Sequence, residues 1–197
     1  TNTLWQIENN DYVSNSDVVV HDHLAVGADA VSGQDFENST IHLQDENLRI
    51  KFDDTSEGDY PANDWQITAN SSETGGENYF AIEDLTNLHI PVKIMAGAEN
   101  NSLFVSAAGR IGIGTISPVL KLHLLNSNTP GIRFEQDNQF GWGAYAWDIG
   151  ANETNFYIKD VTAGSKLSFR IRTGAPANSI YISNNGNIGF GTDTPAR

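Results

Sequence analysis

The chain has no cysteine, which removes disulfides, thiol chemistry and Cys-ligated zinc from consideration. Cationic side chains are scarce: 11 Lys plus Arg stand against 25 Asp plus Glu, a formal net charge of -14. Such a surface repels phosphate backbones and anionic lipid, so no nucleic-acid partner is expected. No apolar run approaches the ~18 residues of a membrane helix, so no membrane insertion is expected either. Nucleophile and metal signatures of the forms Gly-x-Ser-x-Gly and His-Glu-x-x-His are missing. Gly112-Ile113-Gly114 is not followed by a helix start, and the dinucleotide reading fails. Carboxylates are numerous enough to form a glycosidase pair anywhere, so their presence discriminates nothing. The expectation is a protein that is not an enzyme and holds no obligatory cofactor.

What the chain does have is Asn, Ser, Thr and Gly, which favour turns and short strands over helices. Its 197 residues suffice for one large β domain or two small ones. It also repeats itself. Ile41-His42-Leu43 returns as Leu122-His123-Leu124, and Ile50-Lys51-Phe52-Asp53 as Ile132-Arg133-Phe134-Glu135. Asp64-Trp65-Gln66-Ile67 returns as Ala146-Trp147-Asp148-Ile149, and Phe80-Ala81-Ile82-Glu83-Asp84 as Phe156-Tyr157-Ile158-Lys159-Asp160. Asn101 to Ser106, with Gly112 to Thr115 and Pro118, returns as Asn178 to Ser183, with Gly189 to Thr192 and Pro195. Five blocks in one order define a period. They predict a leader with a partial repeat over 1–40, a first β module over 41–121 and a second over 122–197. A third, partial copy is visible where Leu24-Ala25-Val26-Gly27 echoes Ile188-Gly189-Phe190-Gly191. The chain begins at Thr1 without Met and ends inside this motif, so a trimmed start and a continuation past Arg197 are both expected.

Leu103-Phe104-Val105 and Ile180-Tyr181-Ile182, each followed by a Gly-containing turn and another short run, predict hairpins. The segment 77–88 scores as a short helix alone, but its second copy predicts a strand. In Ile111-Gly112-Ile113-Gly114 and Ile188-Gly189-Phe190-Gly191, alternation puts the large residues on one face and the glycines on the other. A bare glycine face marks close approach of another backbone. That backbone belongs either to a tightly twisted hairpin of the same chain or to a neighbouring chain. Gly112, Gly114, Gly189 and Gly191 are therefore candidate chain-to-chain packing positions.

The stretch from Gly109 to Leu124 has the form Gly-x-Ile-Gly-Ile-Gly-Thr-x-x-Pro, followed by Leu-x-Leu, and Gly186 to Pro195 matches it again. It resembles a signature of phage tail fibres and bacterial surface fibres, where it often stands upstream of a trimerising chaperone of the endosialidase type. The longer blocks are similar to repeats of large bacterial secreted proteins, over about three quarters of the chain. The resemblance implies an extracellular fibre, on a cell surface or a virion tail. It implies an all-β fold of tandem repeated modules, of sandwich or interlaced type, in an intertwined homotrimer. It brings no catalytic residues, and the chaperone itself is absent from this sequence.

Phe140, Trp142 and Tyr145 have no aromatic counterparts in the first copy, and rigid aromatic faces suit stacking on sugar rings or burial between chains. A surface or extracellular polysaccharide is thus a candidate partner. Asp53, Asp54, Glu57, Asp59 and Asp64 crowd one loop, which is either solvated or a calcium site of oxygen ligands. His21-Asp22-His23 would put two imidazoles on one face of a strand, a partial metal set without a third ligand. The leading expectation is a structural and adhesive fibre segment. The alternatives are a carbohydrate-binding module and a polysaccharide-depolymerising tail spike.

Overall fold

The computed structural model describes residues 18–196 in full, and the backbone alone of Gln6–Glu8 and Asp11–Val13. Among the described residues all regular structure is β, with no helix, arranged as several small sheets. The chain divides into two compact units, residues 1–98 and 99–197.

In the first unit β1 (Gln6–Glu8) and β2 (Asp11–Val13) pair as a hairpin, and β3 (Leu24–Val26) lies parallel to β4 (Ile41–Leu43). Then β5 (Leu48–Phe52), β6 (Trp65–Ala69), β7 (Tyr79–Asp84) and β8 (His89–Met95) form an antiparallel meander. The segment 77–88 is accordingly the strand β7 and its turn. In the second unit β10 (Ile111–Ile113) is flanked by β9 (Phe104–Val105), antiparallel, and β11 (Leu122–Leu124), parallel. A second meander follows, β12 (Gly131–Gln136), β13 (Tyr145–Ala151), β14 (Asn155–Asp160) and β15 (Lys166–Arg172). The hairpin of β16 (Tyr181–Ile182) and β17 (Ile188–Gly189) comes last. The compact units part at 98/99, inside the sequence period 41–121, because β9 and β10 ladder forward onto β11.

The two meanders place matching residues opposite one another. Phe52 faces Trp65 and Trp65 faces Asp84, as Phe134 faces Trp147 and Trp147 faces Asp160. Each also carries a bulge between its last two strands, after Ile82 and after Ile158. Alternation then sorts each sheet into two faces. In the first, Ile50, Phe52, Trp65, Ile67, Phe80, Ile82, Val92 and Ile94 share one face, while Arg49, Lys51, Gln66, Thr68, Ala81 and Lys93 share the other.

The polar faces are the ones covered and largely hydrogen-bonded within each sheet, Asn155 Oδ1 on the second being buried without a partner among the described residues. Thr68 and Ala81 are fully covered, and Gln66 Nε2 donates to Thr68 Oγ1 and Glu83 Oε2, both at 2.9 Å. On the second sheet Ala146 and Tyr157 are buried. Beside them Asp148 accepts from Arg133 Nε at 2.8 Å and lies 2.9 Å from Lys159 Nζ, an ion ladder across three strands. Hydrogen bonds from Arg133 and Lys159 hold the Asp148 carboxyl down at about 2. A depressed carboxylate pKa adds stability above the unfolded value of 3.8, and that stability is lost as pH falls through the folded value. The melting temperature should therefore fall between pH 4 and pH 2, and Asp148→Asn should flatten that slope. An unchanged slope in the variant would assign the acid sensitivity to other groups.

Candidate functional site

Among the described residues, the apolar faces of both meanders stand largely exposed. Phe52 is 56% exposed, Phe80 47%, Ile94 53% and Phe134 57%. Ile132, Trp147, Phe156, Phe169 and Ile171 are exposed beside Phe134 on the second sheet. All seven residues of β8 and of β15 are exposed. The buried apolar residues of the two meanders, Ala81, Ala146 and Tyr157, all lie on the opposite faces. Contiguous apolar surface of this extent marks an interaction site in a soluble protein.

The glycine signature has a local geometry that repeats bond for bond. Ser106 Oγ and Ser183 Oγ accept from Arg110 N and Asn187 N, each at 3.1 Å, closing the hairpins. A Cβ on Gly112 would stand 2.1 Å from the Thr115 carbonyl oxygen, and one on Gly189 2.2 Å from that of Thr192. The glycines of these strands thus admit the chain's own returning turn. Thr115 Oγ1 accepts from Ser117 N at 3.1 Å, and Arg110 Nη1 holds the Pro118 carbonyl at 3.0 Å. In the last hairpin Asn187 Nδ2 holds the Pro195 carbonyl at 3.2 Å.

Gly114 and Gly191 lie beyond the ends of β10 and β17, at φ of 76° and 74°. They leave the strand pleat instead of extending a glycine face, because the left-handed region ends the ladder. A Cβ on Gly114 would be 2.3 Å from the Leu125 carbonyl oxygen, whereas one on Gly191 meets nothing within 4 Å. Of the four glycines, Gly112, Gly114 and Gly189 have their crowding atoms in the same chain.

Phe140 and Trp142, 85% and 72% exposed, stand on the connection between β12 and β13, pinned by Gln136 Nε2 to the Gly143 carbonyl at 3.0 Å. Tyr145 belongs to the apolar face instead. Its ring lies 6.0 Å from that of Trp147, and its hydroxyl donates to Asp160 Oδ2 at 2.7 Å, which pushes the phenol pKa up. The three aromatics therefore divide into an exposed pair and a sheet residue.

The acidic loop between β5 and β6 spends its carboxylates locally. Asp53 binds Lys51 at 2.5 Å, Asp54 accepts from Ser56 N at 2.9 Å, and Asp64 accepts from Asp54 N at 3.0 Å. The Lys51 ammonium holds the Asp53 carboxyl below its ordinary value. Glu57 and Asp59 are exposed in the same loop. Among the described residues no three His, Cys, Asp or Glu side chains are grouped to hold a metal ion. His21 and His23 precede β3 and are not in a strand, since the ladder starts at Leu24. His23 pairs with Asp22 at 2.8 Å and stacks on Phe36 at 4.9 Å. His42 Nδ1 meets Gln34 Nε2 at 3.0 Å, while the His123 Nδ1 atom is buried without a partner.

No protein-family model matches this chain, and neither a curated protein nor a solved structure matches it.

Proposed function

We propose that this chain is a structural and adhesive segment of an extracellular fibre. In this reading it is built of tandem β modules and assembles as an intertwined homotrimer. The observation that carries the reading is the pair of meanders with covered polar faces and exposed apolar faces. A sheet stable in water has to bury such a face, and each chain leaves two of them open. Two whole apolar sheet faces left open in each chain favour obligate association over transient contact. Equivalent faces of identical chains are complementary in chemistry and share the same twist, so self-association fits them. The number three comes from the likeness of the Gly109–Pro118 stretch to fibre signatures.

Light scattering at micromolar concentration should give three times the 21.5 kDa chain mass. A single-chain mass would overturn the assembly.

The exposed Phe140 and Trp142 favour contact with a surface polysaccharide as a second activity of the same fibre. Trp142→Ala should weaken polysaccharide binding by about 1 kcal/mol in a titration, with an unchanged melt. Equal affinity in the variant would remove the loop from the binding surface. The fibre binds glycan without cleaving it, and release of reducing ends from bacterial or algal polysaccharides would overturn that part of the reading.

A further inference from the structure

We infer that Asn185 is a site of spontaneous backbone modification, where the chain closes an imide on itself and reopens as aspartate or isoaspartate. Asn185-Gly186 is the one Asn-Gly pair in the sequence, and there is no Asp-Gly pair. Every other asparagine is followed by a residue whose Cβ crowds the approach of its backbone nitrogen to the side-chain amide.

Two hairpins of the chain share one turn and differ at this position. In Ser106-Ala107-Ala108-Gly109-Arg110, Gly109 N donates to the Ser106 carbonyl and Ser106 N to that of Arg110, both at 2.9 Å. In Ser183-Asn184-Asn185-Gly186-Asn187, Gly186 N donates to the Ser183 carbonyl at 3.0 Å and Ser183 N to that of Asn187 at 2.9 Å. Both glycines hold positive φ, 65° and 85°. The three central residues are exposed in both turns. Ala108 thus stands where the second hairpin carries Asn185, so the backbone needs no side-chain amide there.

The Asn185 side chain is folded against the turn. Its Oδ1 accepts from Asn187 N at 3.2 Å and from the Ser183 hydroxyl. A bond to the nitrogen two residues on is an Asx turn, which lays the carboxamide along the peptide between Asn185 and Gly186. Donors on Oδ1 also polarise the carbonyl and stabilise the oxyanion that forms when Cγ is attacked. The space a Cβ on Gly186 would fill is empty to 4 Å, so nothing crowds the attacking nitrogen. One bond opposes the step, from Gly186 N to the Ser183 carbonyl. Ring closure therefore takes place in openings of the turn, which exposed hairpin ends undergo most readily.

The step balances without a cofactor. Gly186 N gives its proton to solvent base and bonds to Asn185 Cγ. The Cγ–Nδ2 bond breaks, and the amide nitrogen leaves as ammonia, taking a proton back. Water then adds to either imide carbonyl. Opening at Cγ leaves aspartate at position 185, and opening at the main-chain carbonyl leaves isoaspartate, with the backbone rerouted through Cβ. Isoaspartate lengthens the turn by one methylene. The bonds of Gly186 N and Asn187 N to Ser183 cannot then all be kept, and the pairing of β16 with β17 loosens at that end.

The test incubates the full chain in mildly alkaline buffer beside a synthetic peptide of residues 181–189, both followed by peptide mapping. A mass gain of about 1 Da should appear fastest at Asn185, as a mixture of aspartate and isoaspartate. It should quicken as pH rises, because the attacking nitrogen has to lose its proton. Asn185→Ala, which installs the residue of the first hairpin, should abolish the gain at this turn. The inference is overturned if the peptide converts while the folded chain stays unmodified, since the turn would then protect its amide. A faster gain at another asparagine would overturn it too, as would a gain in this turn that survives Asn185→Ala.

Discussion

Aspartate at both Ile82 and Ile158 is expected to reduce the proposed assembly to single chains that keep their β signal. Ile82 sits between Ile67 and Val92, and Ile158 between Ile149 and Phe169, at the middle of the two apolar faces. In an isolated chain Ile82 is exposed and Ile158 half-exposed, so both new carboxylates reach water and the fold loses far less than the packed assembly would. Between packed chains each would be an unpaired buried charge, costing several kcal/mol per site and repeated by symmetry. Scattering mass and far-ultraviolet circular dichroism separate the two effects. An unchanged mass would show that these faces are not the contact surface. Loss of the β signal together with the mass would show that the sheets do not stand without their cover.

Gly114→Val should be the most damaging single substitution in the signature. Valine at φ 76° is strained by ~1–2 kcal/mol, and its Cβ would stand 2.3 Å from the Leu125 oxygen. Relieving the clash means parting β10 from β11, adding roughly 1–3 kcal/mol or more. Gly141→Val is the control, since Gly141 has φ 87° and nothing within 4 Å of a Cβ. The melting temperature should fall markedly further for Gly114→Val than for Gly141→Val. Equal losses would mean that backbone conformation, and not close approach, fixes the glycine.

The strand class was legible because Leu103–Val105 and Ile180–Ile182 are short β-branched or aromatic runs followed by Gly-containing turns, and because Ile111–Gly114 alternates with a period of two. The second copy also removed the helix reading of 77–88. The cover of the apolar faces was not legible: alternation says which residues share a face, but not what meets it. At Gly112 the crowding oxygen belongs to Thr115, three residues on. Only the turn geometry, set by positive φ at Gly114, brings it there. The acidic loop read as a cluster because sequence shows spacing and not direction. The Asp53, Asp54 and Asp64 carboxylates turn instead to Lys51 and to backbone N–H groups of the same loop, and need no convergence on one point. His21-Asp22-His23 alternates correctly for a strand, yet among the described residues none ladders with it, and pairing begins where Leu24 N finds the Thr40 carbonyl.

Each strand of the two meanders pairs with the strand next to it in sequence. Contacts of that kind close short loops, so their entropic cost is small and the sheets can zip up hairpin by hairpin on the microsecond to millisecond scale. In the proposed assembly, covering the apolar faces is an encounter between chains, and its rate falls with dilution. Each new chain would therefore pass a waiting period with its secondary structure made and its hydrophobic sheets bare. The length of that period would be set by how many sister chains are being synthesised nearby.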